Sequence, residues 1–128
     1  MADPSGFSVA ARLRSFVYAG RGIRIMIASQ HNAWIHAIVT VLVGAAGVAA
    51  GVTRSEWCLL VLSIVSVWTA EALNTAFEFL CDVASPEFHP LVEKAKDVAA
   101  GAVLTSAAGA VLIGLLVFAP HLWRVCVG

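Results

Sequence analysis

Long runs without charge organise this chain. No Asp, Glu, Lys or Arg lies between Arg24 and Arg54, and residues 33–52 are Ile, Val, Leu, Ala, Gly and Trp with one His and one Thr. A helix of about twenty residues rises about 30 Å, the thickness of a bilayer's hydrocarbon core, so this segment predicts a first membrane span. Asp97 and Arg124 bracket a second charge-free run, which predicts a span over 98–120, ending near Pro120. Between the two, residues 57–70 are apolar but too few to cross. The pattern therefore predicts a helix continuing through Glu71 to about Cys81, which puts acids at membrane depth. Ahead of all three, Val9, Leu13, Phe16, Gly20, Ile23 and Ile27 recur at helical spacing. Arg12 flanks this stripe on one edge, and Arg14 and Arg21 on the other. Residues 7–27 thus suit an amphipathic helix on the membrane surface, or equally a helix packed on the spans. Arg24 falls inside the stripe and must snorkel or bind something.

Composition sharpens the class. Of the 128 residues, 60% are hydrophobic and 12% charged, and mean hydropathy is +0.89; soluble domains run nearer ~45–50% apolar and ~25% charged. A disordered chain is excluded on these grounds, and an ordinary soluble globule is disfavoured, because so few charges cannot solubilise so apolar a surface. The expected class is an all-α integral membrane protein of one domain, 1–128, with a surface helix and three transmembrane helices. Net charge is zero, so bulk charge points to no nucleic-acid partner. Cys58, Cys81 and Cys126 are odd in number and lack metal-ligand spacing, so they read as small apolar residues. Residues 1–6 carry Asp3 and Pro4 without a basic region, unlike a cleaved leader.

Charge distribution sets the orientation. Arg12, Arg14, Arg21 and Arg24 precede the first span, Lys94 and Lys96 lie before the third, and only Arg54 and Arg124 fall at the other ends. The positive-inside rule then predicts a multi-pass protein of the cytoplasmic (inner) membrane with its N-terminus in the cytoplasm. Trp34, Trp57 and Trp123 stand near span ends, as interfacial aromatics do. Gly47 and Gly51 form a GxxxG, and Ala102, Ser106, Ala110 and Gly114 recur every four residues. Such small faces let helices approach closely, and three helices hide polar surface incompletely, so a homo-oligomer is expected.

The polar residues of the second span share one face. With Glu71 at zero and roughly 100° per residue, Asn74 falls at about −60°, Thr75 at +40°, Glu78 at −20° and Asp82 at +20°. From Glu71 to Asp82 this face rises about 16 Å. An acid at a lipid-facing helix centre costs roughly 2.5–3.5 kcal/mol, so these acids must face a cavity, a partner or a cation. Glu87, His89, Glu93, Lys94, Lys96 and Asp97 follow in the second loop. Carboxylates with an amide suit Mg²⁺ and phosphates; a lysine at the mouth suits a phosphate; a carboxylate at depth suits proton abstraction. These parts fit phosphoryl transfer to a lipid hydroxyl, and they also fit a cation or proton pathway in a non-enzymatic membrane component. No G-x-x-x-x-G-K-[ST] loop is present, which excludes a P-loop enzyme.

The run Glu71, Ala72, Leu73, Asn74, Thr75, Ala76, Phe77, Glu78 and, four further on, Asp82 resembles the E-x-x-N-[ST]-A-x-E-x-x-x-D signature of the prokaryotic diacylglycerol kinase family. Pro86 to Pro90 and Ala95 to Leu104 resemble its second block, in a form closer to the undecaprenol kinase branch than to the enteric diacylglycerol kinases. The resemblance covers nearly the whole chain. It implies a homotrimer with sites shared between subunits, ATP and Mg²⁺ as co-substrate and cofactor, and undecaprenol as first acceptor with diacylglycerol as second.

By the same resemblance, Glu71 is the general base, Asn74 orients it or the phosphoryl group, and Glu78 holds Mg²⁺. Lys96 neutralises the transferring phosphate with Asp97 in support, and Glu87, Phe88 and His89 border the nucleotide. Asp82 ties this end together. Tyr18 and the surface-helix arginines cover the nucleotide and lipid head, with Arg14, Arg21 and Ala100 on the lipid side. Family members often carry a second metal-binding glutamate before the first span, where this chain has Gln30. A glutamine offers only a neutral carbonyl to the metal. Trp34 replaces a frequent arginine. His31 and His36 read as interfacial polar residues, and Thr75 as bonded back to its own helix.

Overall fold

The computed structural model describes residues 8–128, and every regular element among them is helical: α1 (Val9–Ser29), α2 (His31–Ala50), α3 (Arg54–Ala84) and α4 (Pro90–Val127). Local chemistry sets the ends. The Ser8 hydroxyl accepts from the Ala11 N–H at 3.3 Å, and Phe7, the first residue expected in the surface helix, lies outside the described residues. Gln30 is extended, at φ −116°, and alone separates α1 from α2. Gly51 ends α2 in the left-handed region, at φ +64°, where a side chain is strained. Thr53 and Glu56 form a reciprocal capping box at the start of α3, which satisfies two otherwise orphaned N–H groups. His89 Nδ1 accepts from the Leu91 N–H at 3.2 Å, and Pro90 follows in the first turn of α4, where its missing N–H costs nothing.

α2, α3 and α4 are each long and apolar enough to cross a membrane, and α3, at 31 residues, outreaches the hydrocarbon core. α4 differs most from expectation. It begins eight residues before Val98 and continues through Pro120 to Val127. Glu93, Lys94, Lys96 and Asp97 are therefore helical rather than a loop. Pro120 removes one hydrogen bond near the helix end, too little to stop it, and Arg124 Nε donates to its carbonyl at 3.3 Å.

The buried apolar set is small: Met26, Ala33, Val52, Leu60, Val67, Cys81 and Val117. Large residues on α2, α3 and α4 point outward instead, with Leu42 and Leu62 62% and Leu116 68% exposed. An apolar exterior over such lengths is stable only in lipid, and the chain is a multi-pass membrane protein. α1 meets the bundle near its C-terminal end, where Met26 is buried; Val9, Leu13, Phe16 and Ile23 are exposed.

The two glycines of the expected GxxxG part company. Gly51 is the cap of α2, whereas Gly47 receives the Trp57 ring, and an added Cβ there would stand 2.6 Å from Trp57 Cη2. Trp57 packs on the cluster of Val52, Leu60 and Val117, so it is partly buried inside the bundle as well as near a span end. Gly47→Ala is expected to destabilise the protein by about 1–3 kcal/mol through overpacking, read as a lowered Tm in detergent; an unchanged Tm would show the ring free to move. Ala110 and Gly114 line a half-open cavity against α2 and α3, while Ala102 and Ser106 line a groove against α3. At the same end as Trp57, Glu56 also bonds across to α4, with Oε2 3.1 Å from His121 Nε2.

Candidate active site

One face of α3 carries the buried polar residues, as the wheel predicts. Glu71 is fully buried, and Asn74 and Thr75 nearly so. The Thr75 hydroxyl donates to the Glu71 carbonyl at 2.8 Å, the back-bond expected of it. The Glu71 carboxylate is held asymmetrically. Oε2 lies 3.3 Å from His36 Nε2, and Oε1 is buried without a hydrogen-bond partner.

Two turns further along, Glu78 is bracketed by amides. Gln30 Nε2 donates to its Oε2 at 2.8 Å, and Asn74 Nδ2 donates to its Oε1 at 3.1 Å. Asn74 thus pairs with Glu78, its neighbour at i+4, and not with Glu71; its own Oδ1 is buried and unpartnered. Gln30 reaches this point because it is the extended joint between α1 and α2. The structure therefore brings together Gln30, Asn74 and Glu78, with Glu71 one to two turns deeper.

At the exposed end of α3, Lys96 Nζ donates to Asp82 Oδ1 at 2.6 Å. Lys96 precedes the apolar run of α4, and its side chain is 40% exposed. The Asp82 carboxylate raises its ammonium above the ordinary lysine value, so it is charged throughout the neutral range. Asp97, expected beside Lys96 as its support, makes no ion pair among the described residues. Lys96, Asp97, Glu87, Phe88 and His89 nonetheless all line one open cleft of about 350 Å³ where the α3–α4 turn meets the start of α4. Ser85 shapes that turn by donating its hydroxyl to the Glu87 carbonyl at 2.9 Å.

Other expected residues stand apart. Arg14, Tyr18 and Arg21 are exposed on α1, with the Arg21 guanidinium over the Tyr18 ring at 5.8 Å. Among the described residues no hydrogen bond joins these three to the α3 acids. Ala100 is exposed on α4, and it is Ala99 that lines the α3–α4 groove. Sequence reasoning read His36 as an interfacial polar residue, whereas the structure sets it against Glu71 with its side chain 15% exposed; Thr40 and Trp68 were passed over. The available signal was a His and a Thr four residues apart on an apolar span, facing a Trp three residues before Glu71.

A buried acid on α3 and a charged open cleft where α3 turns into α4 suit an enzyme that joins a lipid-phase reactant to a water-phase one, and they suit a cation pathway as well. Comparison with known proteins says which. The sequence model described as prokaryotic diacylglycerol kinase matches residues 17–118. The chain is 39% identical over 109 residues to an undecaprenol kinase of Bacillus subtilis, covering 85% of this chain and 89% of that protein. It is 37% identical over 111 residues to a diacylglycerol kinase of Synechocystis, covering 86% of this chain and 63% of that one. A shorter match, 43% over 49 residues and 38% of each chain, is to a diacylglycerol kinase of Helicobacter pylori. The chain belongs to the prokaryotic diacylglycerol kinase family, and with it to the ATP-dependent membrane lipid kinases.

Proposed function

We propose that this protein transfers the γ-phosphate of ATP to the hydroxyl of undecaprenol, with diacylglycerol as the second acceptor. The observation that carries the reading is the fully buried Glu71 with its unpartnered Oε1. A carboxylate left half-satisfied in an apolar interior is costly, and an incoming hydroxyl is the donor it lacks. Undecaprenol is preferred because the likeness to the Bacillus undecaprenol kinase spans nearly all of both chains.

The chemistry follows from the residues. Glu71 Oε1 takes the proton of the lipid hydroxyl as the hydroxyl oxygen bonds to the γ-phosphorus. The bond from that phosphorus to the β-bridging oxygen breaks, and ADP leaves. Lys96 neutralises charge on the phosphates, which is most of what phosphoryl transfer asks of a protein. Glu87, Phe88 and His89 border the nucleotide in the cleft, with Asp97 beside them and Asp82 holding Lys96. Tyr18, Arg14 and Arg21 cover the nucleotide and the lipid head from α1 as it lies along the membrane surface, and Ala100 borders the lipid.

The donor set fits Mg²⁺: one carboxylate, Glu78, with the amides of Gln30 and Asn74 beside it and an unpartnered amide oxygen on Asn74. Mg²⁺ ordinarily takes one or two carboxylates and completes its shell with water and phosphate oxygens. When bound, it supplies charge neutralisation on those oxygens. The working unit is a homotrimer in the cytoplasmic membrane with the N-terminus and the α3–α4 turn in the cytoplasm; the family resemblance supports the first and the arginine distribution the second.

The test is phosphorylation in membranes from radiolabelled ATP with both lipids offered in competition. Undecaprenyl phosphate is expected as the main labelled product. Label mainly in phosphatidate would reverse the order of acceptors, and no ATP binding by the wild type would end the kinase reading in favour of a cation pathway.

A further inference from the structure

The two oxygens of Glu71 sit in different surroundings, and the difference is built from α2. His36 Nε2 lies 3.3 Å from Oε2, and the His36 side chain is 15% exposed against none for Glu71. Trp68 contacts both the imidazole and, through Thr40, the helix turn that bears it. Trp68 meets the imidazole edge-on, with ring centroids 6.2 Å apart at 66°. The His36 carbonyl accepts from the Thr40 hydroxyl at 2.7 Å, and the same hydroxyl oxygen accepts from the Trp68 indole N–H at 3.0 Å. Thr40 and Trp68 therefore lock the turn of α2 bearing His36 against the turn of α3 bearing Glu71. A polar chain of this kind in an apolar interior holds a side chain to one geometry.

We infer that His36 is a positioning residue for the base. With its proton on Nε2 it donates to Glu71 Oε2, sets the plane of the carboxylate, and leaves Oε1 open to the lipid hydroxyl. The inference rests on Glu71 being the base that takes that proton. An aimed carboxylate needs such an orienting partner, because a freely rotating one loses most of the advantage of proximity.

Two substitutions separate aiming from packing. His36→Phe keeps a ring against Trp68 but has no N–H to donate; His36→Gln loses the ring but keeps an N–H of similar reach. Steady-state kinetics of each purified variant in lipid, with ATP and lipid varied separately, reads the split. For His36→Phe, kcat is expected to fall on the order of 100-fold, the lower end of what a positioned base contributes. Its KM for ATP should stay within about twofold, as for an interaction felt only in the chemical step. His36→Gln should stay within about tenfold of wild-type kcat.

Wild-type turnover in His36→Phe, equal losses in both variants, or a change confined to KM would each overturn the inference. Should His36→Phe fail to insert, His36→Gln decides alone: turnover within that range supports the assignment and a larger loss overturns it. Glu71→Gln, run alongside, separates the two levels. If it keeps wild-type turnover, the base assignment falls and this inference with it. If it is inactive while His36→Phe keeps wild-type turnover, the inference alone falls.

Discussion

Glu71→Gln is expected to lose nearly all lipid phosphorylation and to leave MgATP binding intact. The loss expected is on the order of 10²–10⁴-fold in kcat, the range a general base contributes. The replacement is nearly isosteric, so it creates no cavity at a position that is 0% exposed. Its amide oxygen can still accept from His36, but neither amide atom can take the hydroxyl proton. Nucleotide binding should survive because Lys96 and the cleft around Glu87 to His89 line the turn between α3 and α4, about 16 Å of helix rise beyond Glu71 at Asp82. The measurement is radiolabel transfer to lipid beside equilibrium binding of MgATP. Wild-type transfer would remove Glu71 from the chemistry; lost binding with lost transfer would make it a structural residue.

Glu78→Gln has the second largest expected effect, and its signature differs. Glu78 is the carboxylate at the centre of the Gln30–Glu78–Asn74 set. With glutamine there, three neutral amides would face the metal. Mg²⁺ is held poorly by amides alone, so half-maximal activity should need far more Mg²⁺, with kcat/KM for MgATP down on the order of 10²–10³-fold at low Mg²⁺. Raising Mg²⁺ should recover part of it. A Mg²⁺ titration of turnover reads this directly, and an unshifted midpoint would place the metal elsewhere.

The spans were legible because lipid imposes a simple rule: runs of about twenty residues without charge must cross. The acidic face of α3 was legible for the same reason, since Glu71 and Glu78 are too costly to leave facing lipid. The start of α4 was misread because Glu93, Lys94, Lys96 and Asp97 look like a loop when membrane burial is the only guide. The His89 cap and Pro90 in the first turn were the signals of a helix already under way. Asn74 was expected to orient Glu71 or the phosphoryl group; in the structure its amide pairs with Glu78, its i+4 neighbour, and not with Glu71. His36 was read as interfacial because the spacing of His36 and Thr40 marks a polar face on α2 but does not say what it meets; its contact with Glu71 depends on the register of α2 against α3. Gln30 looked like a weakened metal ligand, and its place on Glu78 depends on the extended joint between α1 and α2.

A structural reading of the two acids makes the opposite forecast from a chemical one. Buried charges replaced by well-packed apolar residues often stabilise a protein, and sites built for activity commonly trade stability for it. The most direct measurement is lipid-dependent ATP consumption by the Glu71→Leu/Glu78→Leu double variant, purified in the same lipid as the wild type. The account predicts a folded protein with no lipid-dependent turnover above background. Continued consumption of ATP in response to added lipid would contradict it.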